Sequence, residues 1–130
     1  MAYNILIVDD SATTRAIVAR TLAILPGVEV GQVFQASNGL EALDLLDKNW
    51  VDIVFADINM PVMDGIAMVE EMVKRQDMEK IPVIIVSTEG SQTRMEELFR
   101  MGVRGYIRKP FTVEKVGQVL CDILGGSDVR

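Results

Sequence analysis

Ile5-Leu6-Ile7-Val8-Asp9-Asp10-Ser11 sets the reading of the whole chain. Four apolar residues without alternation are expected of a strand covered on both faces, as in a parallel sheet flanked by helices. The run stops on two carboxylates and a hydroxyl, and a helical pattern follows at once. The same grammar recurs downstream. Val51 to Ala56 runs into Asp57, Val83-Ile84-Ile85-Val86 into Ser87-Thr88, and Tyr106-Ile107 through Arg108 into Lys109-Pro110. In a parallel α/β sheet the carboxyl ends of the strands share one edge, where open sheets of this class bind ligands. Three carboxylates, two hydroxyls and an ammonium are therefore expected to meet in one crevice.

Helical patterns fill the intervals. Thr14, Ile17, Val18, Thr21, Leu22 and Leu25 share one helical face, with Ser11 as N-cap and Pro26-Gly27 as the stop. Ala42, Leu43 and Leu46 mark a second helix closing near Trp50. Ile66, Val69 and Val73 mark a third after the Asp64-Gly65 turn. Met95, Leu98 and Phe99 mark a fourth, ended by Gly102. Val113, Val116, Leu120, Ile123 and Leu124 mark a fifth, ended by Gly125-Gly126. Two weaker strands are expected at Gln32–Ala36 and Arg104–Ile107, the latter an edge. The order is (βα)5, which right-handed crossovers convert into a doubly wound α/β sheet with helices on both faces. The strand order that goes with this class is 2-1-3-4-5, with its switch point between the first and third strands. Asp9-Asp10 and Asp57 end those two strands.

Composition narrows the function. The 130 residues show no repeat, low-complexity tract or linker, so residues 1–130 read as a single domain able to bury roughly two-thirds of its unfolded surface. A net charge of −6 argues against nucleic-acid binding. No signal peptide is recognisable, and no apolar run approaches the roughly 20 residues that span a bilayer. A soluble cytoplasmic protein with no membrane partner is expected. With no His and one Cys, a structural zinc site, a Ser-His-Asp or Cys-His triad and an internal disulfide are excluded. Any phosphoryl group must sit on oxygen or come from another protein. Cys121 falls on an apolar helical stretch and is expected to be a buried small hydrophobe.

The acidic residues constrain the chemistry further. Two carboxylates about 4 Å apart repel by roughly 1 kcal/mol in water and about 4 kcal/mol at an effective dielectric of about 20. Three are tolerable only with a cation or with protonation. Hard oxygen ligands and no imidazole favour Mg²⁺, with Mn²⁺ the alternative. Asp9 and Asp10 could instead serve as a helix cap and a surface acid, but Ser11 can supply the cap. Asp57 can act as a nucleophile that forms an acyl phosphate. Lys109 offers a mobile positive charge and Ser87 a hydroxyl donor to phosphoryl oxygens. Arg108 is expected to point away, since side chains alternate along an extended segment.

These residues carry a resemblance. Val8-Asp9-Asp10-Ser11, Asp57-Ile58-Asn59-Met60-Pro61 with Asp64-Gly65, Ser87, Tyr106 and Lys109-Pro110-Phe111 stand in order and at spacings specific in combination. Over nearly its whole length the chain resembles the receiver domain of two-component response regulators, most of all the single-domain chemotaxis type, whose fold is flavodoxin-like. The resemblance implies that Asp57 accepts a phosphoryl group from a histidine kinase. It implies that Asp9, Asp10, Asp57 and the backbone carbonyl of Asn59 position Mg²⁺, and that Lys109 and Ser87 contact the phosphoryl oxygens. It further implies a cis Lys109-Pro110 bond and a switch in which Ser87 moves and Tyr106 turns inward. That turn would change the face formed by the fourth helix, fifth strand and fifth helix.

Asn59 and Glu89 occupy positions that tune phosphoryl lifetime in that family, and both could orient a water, so fast self-dephosphorylation is expected. Thr88 is larger than the residue common there and could narrow access. The partners implied are a histidine kinase, a phosphatase and a protein target such as a flagellar motor switch. A chain ending after its fifth helix would act through protein contact. A phosphorelay intermediate or phosphate sink is the alternative within the family. An aspartate-nucleophile phosphatase of the haloacid-dehalogenase type is a remote rival, because Asn59 stands where a general acid is needed. A degenerate receiver is disfavoured because every acidic-site residue is present.

Overall fold

The computed structural model describes residues 2–124, and strand and helix alternate through them as the sequence leads one to expect. The elements are β1 (Ala2–Val8), α1 (Ala12–Ala23), β2 (Glu29–Ala36), α2 (Gly39–Lys48), β3 (Ile53–Ala56) and α3 (Gly65–Lys74). After them come β4 (Val83–Ser87), α4 (Gln92–Arg100), β5 (Gly105–Arg108) and α5 (Val113–Ile123). A 3₁₀ turn at Asp77–Glu79 precedes β4 and had no sequence signal. The strands form one parallel sheet in the order β2-β1-β3-β4-β5. The Gly125-Gly126 stop lies outside the described residues.

The unbroken apolar runs are explained by the two-residue period of a strand. Ile5, Ile7, Ile53, Phe55, Ile84 and Val86 face one core with Val18 and Leu22 of α1 and Val116 and Leu120 of α5. Leu6, Val8, Val54, Ala56, Val83 and Ile85 face the other, with Ala42 and Leu43 of α2, Met68 and Met72 of α3 and Leu98 of α4. Each central strand thus fills two cores, and polar residues return only where it ends.

Helical faces were read less accurately. Ile17, Val73 and Phe99, assigned to inner faces, are 45%, 43% and 44% exposed. The buried stripe of α3 instead runs through Ile66, Met68, Val69 and Met72. A helix lying on a flat sheet buries a stripe whose rotation is set by the sheet, and periodicity leaves that rotation open by about one residue. Cys121 is half-buried in α5, less enclosed than its apolar neighbours suggested. No helix among the described residues is long and apolar enough to cross a membrane.

The strand β2 begins three residues before the expected Gln32, at Glu29. It is an outer strand with mostly exposed side chains, so no apolar run marks it. Its register against β1 slips between Tyr3 and Ile5, and the Asn4 side chain bridges the slip. Asn4 Oδ1 accepts from the Gln32 N–H at 2.9 Å while the Asn4 N–H donates to Asp52 Oδ2 at 2.7 Å.

Every helix starts on a side-chain cap. Ser11, Asn38, Asp64, Ser91 and Thr112 each accept from the backbone N–H three residues on, each cap contributing about 1 kcal/mol. Because each helix follows a strand, all of these N-termini and their positive dipole ends lie toward the carboxyl edge of the sheet. That edge is suited to anions before any side chain is added.

Candidate functional site

The site residues occupy the first rungs of the sheet beyond its strands. The Asp9 N–H donates to the Ala36 carbonyl at 3.0 Å, the Asp57 N–H to the Val8 carbonyl at 2.9 Å, and the Lys109 N–H to the Ser87 carbonyl at 2.9 Å. Ladder hydrogen bonding therefore sets the height of all three backbones. The Lys109-Pro110 bond is cis.

Asp9, Asp10 and Asp57 each offer a carboxylate oxygen within 4.8 Å of the others. Lys109 Nζ donates to Asp9 Oδ2 at 2.8 Å and to Asp57 Oδ2 at 3.1 Å. Asp9 Oδ1 accepts from the Ser11 N–H at 2.9 Å, and Asp57 Oδ1 from the Ile58 N–H at 2.7 Å. Asp10 is exposed, and among the described residues nothing donates to its carboxylate. Lys109 thus partly neutralises the inner pair and leaves one face of the cluster open. Three clustered carboxylate oxygens, one of them on an exposed side chain, are hard ligands that fit Mg²⁺ or Mn²⁺, and Asp9, Asp10 and Asp57 are the side chains that would hold the ion.

The lysine is enclosed, its side chain 18% exposed beside those of Asp9 and Asp57 at 5% and 12%. Burial opposes its protonation. Hydrogen bonds to Asp9 and Asp57, reinforced by their charges, outweigh burial and hold the ammonium above its ordinary 10.5. A group whose pKa rises on folding stabilises the fold below its unfolded pKa and loses that contribution as pH climbs through the folded value. The contribution of Lys109 is therefore expected to last to pH 10.5 and to fade above it. Lys109→Met should cost about 2–3 kcal/mol at neutral pH, since it leaves two enclosed carboxylates without their shared cation. Urea unfolding across pH 7 to 12 checks this. The two stability curves should converge only on the alkaline side, and a constant offset would refute the assignment.

Ser87 is fully buried at the end of β4, and its hydroxyl oxygen accepts from the Glu89 N–H at 3.1 Å. The Tyr106 hydroxyl donates to the Glu89 carbonyl from the other side. One peptide segment of the β4–α4 loop is thus held by both residues assigned to switching. Tyr106 is 8% exposed, so its ring is already inward here. Burial first, and then the Glu89 carboxylate, push the phenol above its ordinary 10.0, so it stays a neutral donor. Thr88 is exposed at the loop's start, and Asn59 is exposed two residues beyond Asp57. The Asn59 carbonyl accepts no hydrogen bond among the described residues. Arg108 is exposed and turned from the carboxylates, its guanidinium lying against Gly90.

Two features of the site carried no recognised sequence signal. The first is the fold of the loop after Asp57. The Gly65 N–H donates back to the Ile58 carbonyl at 2.7 Å, and the Met63 N–H to the Pro61 carbonyl at 2.7 Å. The second bond closes a three-residue turn around Val62, whose φ of 69° is costly for a β-branched residue. The Gly39 N–H binds the Met63 carbonyl at 2.8 Å, docking α2 on the same loop. The second feature is Arg15 in α1, which donates from Nη1 to the Asp9 carbonyl and from Nε to Gln35 Oε1 at 2.9 Å. Its one sequence signal is a cation close to a helix N-terminus, where the dipole disfavours it.

The chain is similar to known proteins in sequence and in fold. The model of the response regulator receiver domain matches residues 5–120. A chemotaxis protein CheY homolog of Campylobacter jejuni is 39% identical over 123 residues, covering 94% of this chain and 92% of that protein. Among solved structures, the chemotaxis protein CheY4 of Vibrio cholerae is similar at a TM-score of 0.81 and 32% identity, over 95% of this chain and 99% of that one. A chain of the CheX-CheY-BeF3-Mg²⁺ complex from Borrelia burgdorferi is similar at 0.85 and 27%, over 94% and 89%. Receiver domains are signalling domains rather than free-standing enzymes. Matched along nearly all its described length in sequence, and as closely in fold, the chain belongs to the response regulator receiver domain family.

Proposed function

We propose that residues 1–130 form one receiver domain that accepts a phosphoryl group on Asp57 from a histidine kinase in the cytoplasm. The phosphorylated form would then signal to a protein target, as a chemotaxis output regulator does. The observation that carries this reading is Lys109 bridging Asp9 and Asp57 inside a three-carboxylate cluster. The donor is external because the chain has no histidine. The chemotaxis assignment is supported by the relatives named above, and a flagellar-switch target and a phosphatase are the partners it entails.

In the transfer, an Asp57 carboxylate oxygen forms the new O–P bond as the N–P bond of the kinase phosphohistidine breaks. The electron pair leaves on the imidazole nitrogen, which takes up a proton. Asp9, Asp10, Asp57 and the Asn59 carbonyl would hold Mg²⁺, which when bound would supply positive charge against the phosphoryl oxygens. Lys109 is already within hydrogen-bond reach of Asp57 and can exchange that carboxylate for a phosphoryl oxygen. The Ser87 hydroxyl accepts from Glu89, and its own proton is available to a phosphoryl oxygen.

Moving Ser87 toward the phosphoryl group would loosen its hold on the Glu89 N–H while Tyr106 keeps the carbonyl. The loop would then settle into a second arrangement and alter the α4, β5 and α5 face, a population shift biased by contacts present only in the phosphorylated form. With Ser87 on the N–H of Glu89 and Tyr106 on its carbonyl, an exchange of partners at Glu89 would couple the two switch residues.

Incubation of the wild-type chain with a small phosphodonor, with and without Mg²⁺, tests the central step. The expected product is one acid-stable, base-labile phosphate on Asp57 that forms only with Mg²⁺. No such product, or a label elsewhere, would sink the reading. Asn59 and Glu89 would orient an attacking water, and Thr88 would narrow its approach. Glu89→Leu should slow the subsequent decay about threefold or more, and an unchanged decay rate would remove Glu89 from that role.

A further inference from the structure

We propose that Arg15 is a positioning residue for metal binding, acting through the peptide bond that joins Asp9 to Asp10. The inference rests on the receiver reading above, in which those two aspartates hold Mg²⁺.

The side chain of Asp9 is fixed twice, by the Ser11 N–H and by Lys109. Asp10 has no such restraint, since its carboxylate is exposed and unpartnered among the described residues. What is held is the peptide before it, which sets where the Asp10 backbone starts. The N–H of Asp9 is bound to β2 through the Ala36 carbonyl, and the C=O of Asp9 accepts from Arg15 Nη1. Arg15 is itself held, because Nε donates to Gln35 Oε1 on the same strand β2. A chain of contacts thus runs from Gln35 through Arg15 to the Asp9 carbonyl, and from there to the direction in which Asp10 leaves the backbone.

The guanidinium suits this task because its planar fork presents two donors at a fixed angle, one to the strand and one to the loop. A lysine carries its donors on a single nitrogen and cannot fill the two separate positions that Nε and Nη1 occupy. The location also argues for a purpose. A cation near a helix N-terminus is opposed by the dipole, so the helix itself does not favour an arginine here.

Position and charge predict opposite signs. If Arg15 acts only as a nearby positive charge, it repels the metal, so its removal tightens binding. If it positions the Asp9–Asp10 peptide, its removal loosens binding, and Gln35 matters although it is neutral. Mn²⁺ titration of the unphosphorylated full chain, followed by loss of the free-ion paramagnetic resonance signal, separates the two. Competition with Mg²⁺ extends the result to that ion. Arg15→Met and Arg15→Lys are expected to raise the Mn²⁺ dissociation constant about tenfold, the scale of one charge-assisted hydrogen bond.

Gln35→Leu should raise the constant about threefold, with no further loss when added to Arg15→Met, and Gln35→Glu, which keeps the acceptor, should stay within about twofold of wild type. Unchanged or tighter binding in Arg15→Met, full retention in Arg15→Lys, or additive effects of the two sites would overturn the proposal. If Arg15→Met does not fold, the Gln35→Leu and Gln35→Glu pair decides at an exposed side chain, since equal affinities there overturn it too. Wild-type chain that binds no Mn²⁺ and takes no phosphate would overturn the receiver reading itself, whereas variants equal to a binding wild type overturn only the role of Arg15.

Discussion

Asp57→Ala is expected to take up no phosphate from a small phosphodonor in the presence of Mg²⁺, a fall of at least about a hundredfold in initial rate, on the scale of losing a covalent nucleophile. The neighbourhood offers no substitute. Residue 56 is alanine and residue 58 is isoleucine, so neither flanking side chain can attack. Asp9 is buried, with one oxygen on the Ser11 N–H and the other on Lys109. Asp10 is accessible but lies at the end of a different strand, β1, without Lys109 beside it.

The same substitution should change unfolding free energy by less than about 1 kcal/mol. It removes the Ile58 N–H contact and one of the two Lys109 contacts, but it also removes one of three mutually repelling carboxylates, and Asp9 keeps the lysine. Phosphate mapping and urea unfolding on one preparation check both halves. Substantial labelling of a folded Asp57→Ala chain would place the nucleophile elsewhere.

Gly65→Ala carries the largest expected cost in stability, about 3–4 kcal/mol. The reason is close approach. A Cβ on Gly65 would stand 2.2 Å from the Asp57 carbonyl oxygen, 2.9 Å from Ile58 Cα and 3.1 Å from the Asp57 carbonyl carbon. All three neighbours are backbone, so no side chain can rotate out of the way. Either α3 lifts from the sheet and exposes Ile66 and Val69, or the Asp57 backbone moves from its rung on Val8.

Both outcomes should also slow phosphorylation, because the acceptor oxygen is placed through that rung. Denaturant titration should show a lower midpoint with an unchanged slope, together with slower labelling under conditions where the variant is folded. Wild-type stability in Gly65→Ala would mean that the start of α3 yields far more easily than its contacts imply.

The fold was legible wherever a residue's neighbours in sequence are also its neighbours in function. Ile5–Val8 and Val83–Val86 read as strands because two-sided burial removes alternation, and the structure assigns their odd and even residues to different cores. Ser11 read as a cap because the N–H it binds lies three residues away. Legibility failed where burial depends on another element's orientation. Ile17, Val73 and Phe99 lie one position off the buried stripe, because the underlying sheet decides how each helix is rotated. The early part of β2 was invisible for a related reason. An outer strand is held by backbone hydrogen bonds, and its Asn4 bridge depends on the register of a partner more than twenty residues away.

The candidate site divides in the same way. Residue types at the ends of four strands, with the charge arithmetic of three carboxylates, determined by themselves that an oxygen-rich, metal-compatible crevice forms around Asp57, because a parallel sheet brings those ends to one edge. Only the tertiary structure decided how the groups there are paired. Lys109 spans Asp9 and Asp57 across separations of 100 and 52 residues. The backbone of Glu89 is shared by Ser87 and Tyr106, and Arg15 reaches the carbonyl of Asp9 instead of a carboxylate. Such pairings turn on differences of an ångström between segments distant in sequence, and a hydrogen bond is lost over that distance. Local pattern has no access to that length scale, whereas packing of the two cores against the sheet sets it.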